Sequence, residues 1–175
     1  LNPNELPSGK ANAKSYIYFI ETESSEKLVG AIVPGENKKC LLTSLNGKGF
    51  IADTNSLISN QKKGKKLFNL KDSDILIKIL IVDQDYIAIT NKSGKLLIFN
   101  IETLPILQKG SGVQLMKLKE NDSISDIKLL DQSEGLTWNS SSKTKKLNDI
   151  SFWIGKRAQS GKKVPKYFNK NFKFK

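Results

Sequence analysis

The chain has 175 residues, and its 29 lysine and arginine residues against 17 aspartate and glutamate residues give a formal net charge of +12. It contains no histidine and a single cysteine, Cys40, which excludes histidine general bases, Ser-His-Asp and Cys-His sites, the usual zinc sites and any disulfide within the chain. The longest apolar run, Ile75 to Val82, is too short to cross a bilayer. We expect Cys40 to be a small core residue in a reducing compartment.

Short β-branched and aromatic segments separated by turn residues predict an all-β protein. In chain order the predicted strands are Tyr16–Ile20, Leu28–Val33, Cys40–Ser44, Gly49–Ala52, Leu67–Leu70, Ile75–Val82, Tyr86–Thr90, Leu96–Phe99, Val113–Leu118, Ile124–Leu130 and Leu136–Trp138. Asn46-Gly47 predicts a type I′ hairpin, in which both turn residues have positive φ. Ser93-Gly94 occupies the same place further along the chain.

A repeat of 47 residues organises these strands. The segment LTSLNGK at 42–48 is echoed by ITNKSGK at 89–95, and a blurred third copy begins at Thr137. About four strands per repeat is the size of a propeller blade.

The repeat predicts blades at residues 35–82 and 83–130, a terminal blade with a basic tail at 131–175, and the second half of a truncated blade at 1–34. Because one repeat cannot bury both of its faces, we expect the chain to be a fragment of a longer protein.

Positive charge is concentrated toward the C-terminus. Residues 143–175 hold 11 basic residues and one acidic residue, Asp149, for a net charge of +10. Aromatic residues are interleaved there, which argues against a purely solvating tail. Arg157 is the only arginine, and lysine is a point charge suited to phosphate, whereas arginine provides the fork that reads base edges. Any nucleic-acid contact is therefore expected to be directed mostly at the backbone.

Basic glycine turns recur at one place in the repeat. Glycine lets backbone N–H groups approach phosphate closely, and flanking lysines neutralise it. Their recurrence predicts successive positions around the rim of a propeller-like array, which a bent polyanion would follow. The candidate contact residues are Lys62, Lys63, Lys65, Lys66, Lys109, Lys156, Arg157, Lys162 and Lys163.

The carboxylates form no catalytic constellation. Asp74, Asp122 and Asp126 are interpreted as turn-capping residues, an explanation preferred over acid–base chemistry or a Ca²⁺ or Mg²⁺ site. No Walker loop or dinucleotide fingerprint is present. The sequence therefore predicts no catalytic residue, metal site or cofactor in this chain.

Four segments carry a resemblance to a known family. AITNKSGKLLIF at 88–99, followed by ETLPILQKGSG at 102–112, resembles the C-terminal domain of the A subunit of bacterial DNA topoisomerase IV, which has an AIT..G…F….LP.L.KGKG pattern. LNPNELPS at 1–8 resembles the DP..LPS segment of that family, and residues 136–163 resemble its terminal blade. The resemblance implies a β-pinwheel, a propeller-like array of four-stranded blades that exchange strands, here with about three and a half blades.

The resemblance also implies a function. The expected domain is non-catalytic, binds and bends double-stranded DNA with little sequence preference, and positions the transported segment for an ATP-dependent type II topoisomerase. The family's A subunit forms a homodimer and joins the B subunit in an A2B2 complex, in the cytoplasm at the nucleoid and peripherally at the inner face of the cell membrane. ATP and magnesium belong to other parts of that enzyme. Its cleaving tyrosine lies in an N-terminal domain, so Tyr16, Tyr18, Tyr86 and Tyr167 are expected to have no such role.

Three alternatives remain open at this point. The first is the DNA-wrapping C-terminal domain of the gyrase A subunit, but QKKGKK at 61–66 lacks both arginines and one glycine of the gyrase Q-R-R-G-G-K-G box, which favours topoisomerase IV. The second is a β-propeller that binds an acidic protein. The third is an RNA-binding accessory protein.

Overall fold

The computed structural model describes residues 26–61, 63–71, 73–140 and 143–175. Its strands are β1 Lys39–Ser44, β2 Lys48–Asp53, β3 Leu76–Ile81, β4 Tyr86–Asn91, β5 Lys95–Asn100, β6 Val113–Gln114, β7 Ile124–Leu130, β8 Leu136–Ser140, β9 Lys143–Leu147 and β10 Lys162–Lys163. Short 3₁₀ turns occupy Thr54–Leu57, Ile101–Thr103 and Ser151–Trp153. Within these residues no helix is long and apolar enough to cross a membrane.

The strands form two four-stranded antiparallel sheets and one two-stranded sheet. The strand orders are β3-β1-β2-β6, β10-β5-β4-β7 and β8-β9. In each four-stranded sheet one edge strand comes from a segment that follows the next hairpin in the chain. Strand β6 follows β5 but pairs with β2, and strand β10 follows β9 but pairs with β5. This exchange of strands between neighbouring units confirms the predicted all-β pinwheel fold.

Apolar layers cover both faces of the inner strands. Leu41 in β1 faces a layer shared with Ile87 in β4, whereas its neighbour Cys40 faces the opposite layer. Ala88 in β4 likewise faces away from Ile87, toward the layer that includes Trp138. This alternation follows from the two-residue period of a strand. Each large side chain buried in this way contributes about 1.5–3 kcal/mol, so the units stabilise one another through their faces.

Cys40 is fully buried in the core, as the sequence predicts. Burial raises the pKa of its thiol to about 11, so the thiol stays neutral and unreactive at neutral pH.

The two hairpins occur where the sequence predicts them, but with a different turn type. Positive φ occurs at Gly47 (75°) and Gly94 (74°) and not at the preceding Asn46 or Ser93. Both loops are three residues long, between Ser44 and Lys48 in the first hairpin and between Asn91 and Lys95 in the second. Such loops combine a type I turn with a left-handed glycine, so the type I′ prediction is wrong.

One strand prediction is wrong, two are wrong in part, and a fourth lies outside the described residues. Leu28–Val33 forms no strand, and Leu28, Val29 and Val33 are exposed. Leu67–Leu70 contributes one bridge, from Phe68 to Gly110. Val113–Leu118 is paired only at its first two residues, because β6 runs past the start of β2, and Leu115 already bonds the turn at Gly47. The predicted strand Tyr16–Ile20 is not among the described residues.

The C-terminal segment packs onto the array. Phe174 is buried, its N–H donates to Asp126 Oδ2 at 2.8 Å, and its carbonyl accepts from Asn139 N–H at 3.0 Å. Phe168 stacks on Trp138, with ring centroids 5.1 Å apart. The interleaved aromatic residues therefore anchor the end of the chain.

Alanine at Gly112 should destabilise the protein more than alanine at Gly64. Both glycines have positive φ, 65° and 70°, which costs a non-glycine residue about 1–2 kcal/mol. A Cβ on Gly112 would lie 2.8 Å from the Gly49 carbonyl oxygen, whereas a Cβ on Gly64 meets no described atom within 4 Å. We expect urea denaturation to show an additional loss of about 1–3 kcal/mol for Gly112→Ala. Equal losses in the two variants would contradict the close crossing of the chain at Gly112.

Candidate nucleic-acid interface

The first basic turn is exposed. The Gly64 N–H donates to the Gln61 carbonyl at 2.8 Å, which closes a turn with Gly64 in the left-handed region. Lys63, Lys65 and Lys66 are exposed, and Lys62 lies outside the described residues. The open space around Gly64 leaves its backbone accessible to a ligand.

The second basic turn lies beside the first. Gly110 N–H donates to the Leu67 carbonyl at 3.0 Å, and Asn69 N–H donates to the Gly110 carbonyl at 2.8 Å. This parallel bridge sets the exposed Lys109 next to Leu67, one residue from Lys66. Two turns that are about one repeat apart in the sequence are therefore neighbours in space.

The segment with Lys156 and Arg157 is joined to strand β6, which follows the second basic turn in the chain. Arg157 is half-buried, and its Nη1 donates to the Gln114 carbonyl in β6 at 2.7 Å. Ala158 N–H donates to the Leu115 carbonyl at 2.8 Å. Arg157 thus helps to fix the unit-to-unit junction, while Lys156 beside it is exposed.

Strand β10 brings two lysines to the same edge of the second sheet. Lys162 Nζ donates to the Phe152 carbonyl at 2.6 Å and lies 4.1 Å from the centroid of the Phe152 ring. Lys163 lies directly opposite Lys95 in the β5–β10 ladder. Directly opposite residues share one face of a sheet, and like charges there are destabilising.

The described candidate residues thus lie on the exchanged strands of the two four-stranded sheets, on the segments that precede those strands, and on the turn at Gly64 that precedes the bridge to Gly110. The structure also adds Lys48 and Lys95, which begin β2 and β5 and pair with the exchanged strands at Gln114 and Lys163. Sequence reasoning missed these two lysines, although they follow Gly47 and Gly94 at the same place in the repeat. We call the following set the basic edge: Lys48, Lys63, Lys65, Lys66, Lys95, Lys109, Lys156, Arg157, Lys162 and Lys163.

The charges of the basic edge are not neutralised within the described part of the chain. In the described part of the chain, the ion pair joins Lys78 in β3 to Asp126 in β7, and it involves no residue of the basic edge. Lys128 is also engaged elsewhere, since its Nζ donates to Thr137, and burial lowers its pKa. The basic edge therefore keeps its charge available for an anionic partner.

The carboxylates serve mainly structural roles. Asp74 accepts from the N–H groups of Asn46 and Ile75, at 2.9 and 3.0 Å, and Asp122 accepts from Ser93 Oγ at 2.7 Å, as turn capping predicts. Asp126 was predicted to be a turn residue, and this is wrong: it lies within β7, pairing with Lys78. Across the described ranges, no group of three or more aspartate, glutamate, cysteine or histidine residues is placed to hold a metal ion.

Comparison with known proteins agrees with the fold. A family model described as DNA gyrase C-terminal domain, beta-propeller, matches residues 38–83 and 85–131. The A subunit of DNA topoisomerase 4 from Rickettsia felis is 34% identical over 171 residues, which cover 98% of this chain and 23% of that protein. The corresponding protein of Caulobacter vibrioides is 28% identical over 175 residues, covering 99% of this chain and 23% of that protein. The chain thus spans less than a quarter of the length of these curated relatives.

Solved structures share the architecture. The Escherichia coli ParC C-terminal domain has a TM-score of 0.84 at 20% identity and covers 97% of this chain and 73% of its own. The DNA gyrase A C-terminal domain has a TM-score of 0.67 at 22% identity and covers 89% and 55%. Fold and repeats define a β-pinwheel of the kind found at the C-terminus of topoisomerase A subunits. The chain belongs to the family of C-terminal domains from the A subunits of topoisomerase IV and gyrase, which confirms the resemblance.

Replacing Lys163 by glutamine should stabilise the protein at low ionic strength. The substitution removes the repulsion from Lys95 across the ladder, and we expect a gain of about 0.2–0.5 kcal/mol in the free energy of unfolding. Because salt screens exposed charges, the gain should shrink in roughly 1 M salt. Urea denaturation at both salt concentrations measures it, with the exposed Lys166→Gln as the matched control. An unchanged or lower stability for Lys163→Gln would contradict the repulsion.

Proposed function

We propose that this chain is a non-catalytic domain that binds and bends double-stranded DNA for a topoisomerase IV A subunit. The observation that carries the proposal is the basic edge, whose lysines have no ion-pair partner in the described chain. It includes Lys95 and Lys163, held directly opposite each other. Because like charges directly opposite each other destabilise a sheet, binding of a polyanion would relieve the repulsion between these two lysines.

The mechanism is neutralisation of phosphates along the exchanged-strand edge. Lysines contribute point charges without reading base edges, so we expect little sequence preference. The open space beside Gly64 leaves room for a phosphate next to the lysines of this turn. A duplex that contacts turns from successive units must follow their arrangement, which favours a bent path.

Within a larger enzyme the domain would hold the transported DNA segment. We propose that its A subunit acts as a homodimer with the B subunit in an A2B2 complex at the nucleoid, and that ATP and magnesium act outside this domain. The names of the Rickettsia and Caulobacter relatives support topoisomerase IV over gyrase. The absence of arginine from residues 61–66 supports the same choice.

Alanine substitution of Lys63, Lys65, Lys66 and Lys109 should weaken binding to a random-sequence duplex and flatten its salt dependence. Each lost phosphate contact lowers the log-log slope of affinity against salt by about 0.9, so a loss of roughly three contacts reduces it by about 3. Fluorescence anisotropy with a labelled duplex, at several salt concentrations, measures both quantities.

The matched control removes the same charge from exposed lysines elsewhere, Lys117, Lys119, Lys170 and Lys173. We expect it to retain most of the affinity and slope. Equal losses in both quadruple variants would show that net charge alone drives binding, and wild-type affinity insensitive to salt would contradict the electrostatic mechanism. Stronger binding to an acidic protein than to DNA would favour the protein-interaction alternative.

A further inference from the structure

A groove lined with aromatic residues lies on the third unit, next to the basic edge. It is bounded by β9, by the 3₁₀ turn Ser151–Trp153 and by the chain at 163–167, and it encloses about 480 Å³. Four aromatic side chains line it: Trp138, Phe152, Trp153 and Tyr167. We call this the aromatic groove. Its volume falls in the range of about 300–1,000 Å³ typical of ligand sites.

The two tryptophans of the groove offer no free indole N–H group to a ligand. Trp138 Nε1 donates to the Tyr167 carbonyl at 3.2 Å, and Trp153 Nε1 donates to the Lys163 carbonyl at 2.8 Å. Both indole N–H groups are therefore already used inside the protein. Phe152 and Tyr167 are 59% and 77% exposed, so both side chains are accessible to a ligand.

The backbone holds Tyr167 in this exposed position. Its φ is 64°, in the left-handed region that disfavours a residue with a side chain. Strain of this kind persists where surrounding structure imposes it, and it is concentrated at functional sites. The carbonyl of Tyr167 is fixed by Trp138, so the turn that exposes the ring is tied to the core.

The charge around the rings is positive. Four lysines line the groove and no carboxylate does: Lys145, Lys146, Lys163 and Lys166. Lys145 Nζ lies 5.8 Å from the Tyr167 ring centroid. A fitting ligand must therefore alternate negative charge with flat apolar groups.

We propose that the aromatic groove binds unpaired bases of single-stranded DNA, an activity beyond the proposed duplex binding. In a duplex the base faces are stacked and hidden, so only a separated strand presents phosphates and bare base faces together. Aromatic platforms flanked by lysines bind single strands in this manner. An acidic peptide fits less well, because its carbonyls find no free indole donor, and the lysines of β9 discourage strand addition at that edge.

Tryptophan fluorescence reports on the groove directly, since Trp138 and Trp153 are the only tryptophans of the chain and both line it. The experiment titrates the wild-type chain with a short oligothymidylate and with an abasic oligonucleotide of the same length and charge. We expect the oligothymidylate to quench the fluorescence and to bind about tenfold more tightly than the abasic strand, because stacking adds to the shared phosphate contacts.

Two variants test the rings. Phe152→Ala and Tyr167→Ala should each weaken oligothymidylate binding by about five- to tenfold. Tyr167→Ala should leave duplex affinity unchanged, because Tyr167 makes no described hydrogen bond or ring contact with a residue of the basic edge. Ile75→Ala, which removes an exposed apolar side chain elsewhere, is the matched control and should bind like the wild type. The alanine variant at Lys63, Lys65, Lys66 and Lys109 should show the reverse pattern, losing duplex but keeping oligothymidylate affinity.

The proposal is overturned if the abasic strand binds as tightly as oligothymidylate, or if both ring variants bind it like the wild type. It is also overturned if a polyglutamate peptide displaces oligothymidylate at equal concentration of charges, since the groove would then be a site for acidic peptides. If the chain fails to bind duplex DNA, the proposed function is contradicted, but the oligothymidylate measurements still test the aromatic groove.

Discussion

The array depends on the chain crossing from one sheet to the sheet before it. After β5 the chain bridges Ile106 to Ile51 in parallel, passes Gly112 against the backbone of Gly49, and completes the first sheet as β6. The same crossing recurs one unit later, with Ile154 bridged to Ile98 and β10 added to β5. Because backbone hydrogen bonds make each crossing, neighbouring units are fixed in register as well as packed through their apolar faces.

The same crossing segments carry the charge. Lys109 and Gly110 sit at the start of the first crossing, and Arg157 in the second crossing donates to Gln114 at the end of the first. The segments that contact the backbone of the neighbouring unit are therefore also the segments that carry basic residues. The fixed register holds these lysines at defined positions relative to one another, which a mobile linker of the same composition would not do. The crossing also fixes the ladder that places Lys95 directly opposite Lys163.

Much of the fold could be predicted from the sequence, because the signals were local. Short apolar, β-branched segments located the inner strands, and the glycines at 47 and 94 located the hairpins. The pairing partners of β6 and β10 could not be read from the residues, since two-residue strands have no pattern of their own, and only the family resemblance implied the exchange. Strand β9 was missed because its sequence KTKKL buries almost nothing. Leu28–Val33 has the composition of a strand, yet its side chains are largely exposed, so composition alone was insufficient.

The residue types of the candidate site could be predicted from the sequence, but the arrangement of those residues in space could not. Recurring basic turns pointed to the segments that form the basic edge, but the sequence places Lys66 and Lys109 a repeat apart, whereas the bridge at Gly110 makes them neighbours. Lys48 and Lys95 looked like ordinary hairpin residues until their cross-strand partners were known. The aromatic groove was not predictable either, because it joins residues from β8, a 3₁₀ turn and the C-terminal segment.

The central claim is that the fixed register of the crossings gives the basic edge a shape that bends DNA. It is tested most directly by energy transfer between dyes at the two ends of a duplex of about 40 base pairs, well below the persistence length of roughly 150 base pairs. At saturating protein, the wild-type chain should raise the transfer efficiency, and the alanine variant at Lys63, Lys65, Lys66 and Lys109 should raise it less. Saturated wild-type complexes with the end-to-end distance of free DNA would contradict the account.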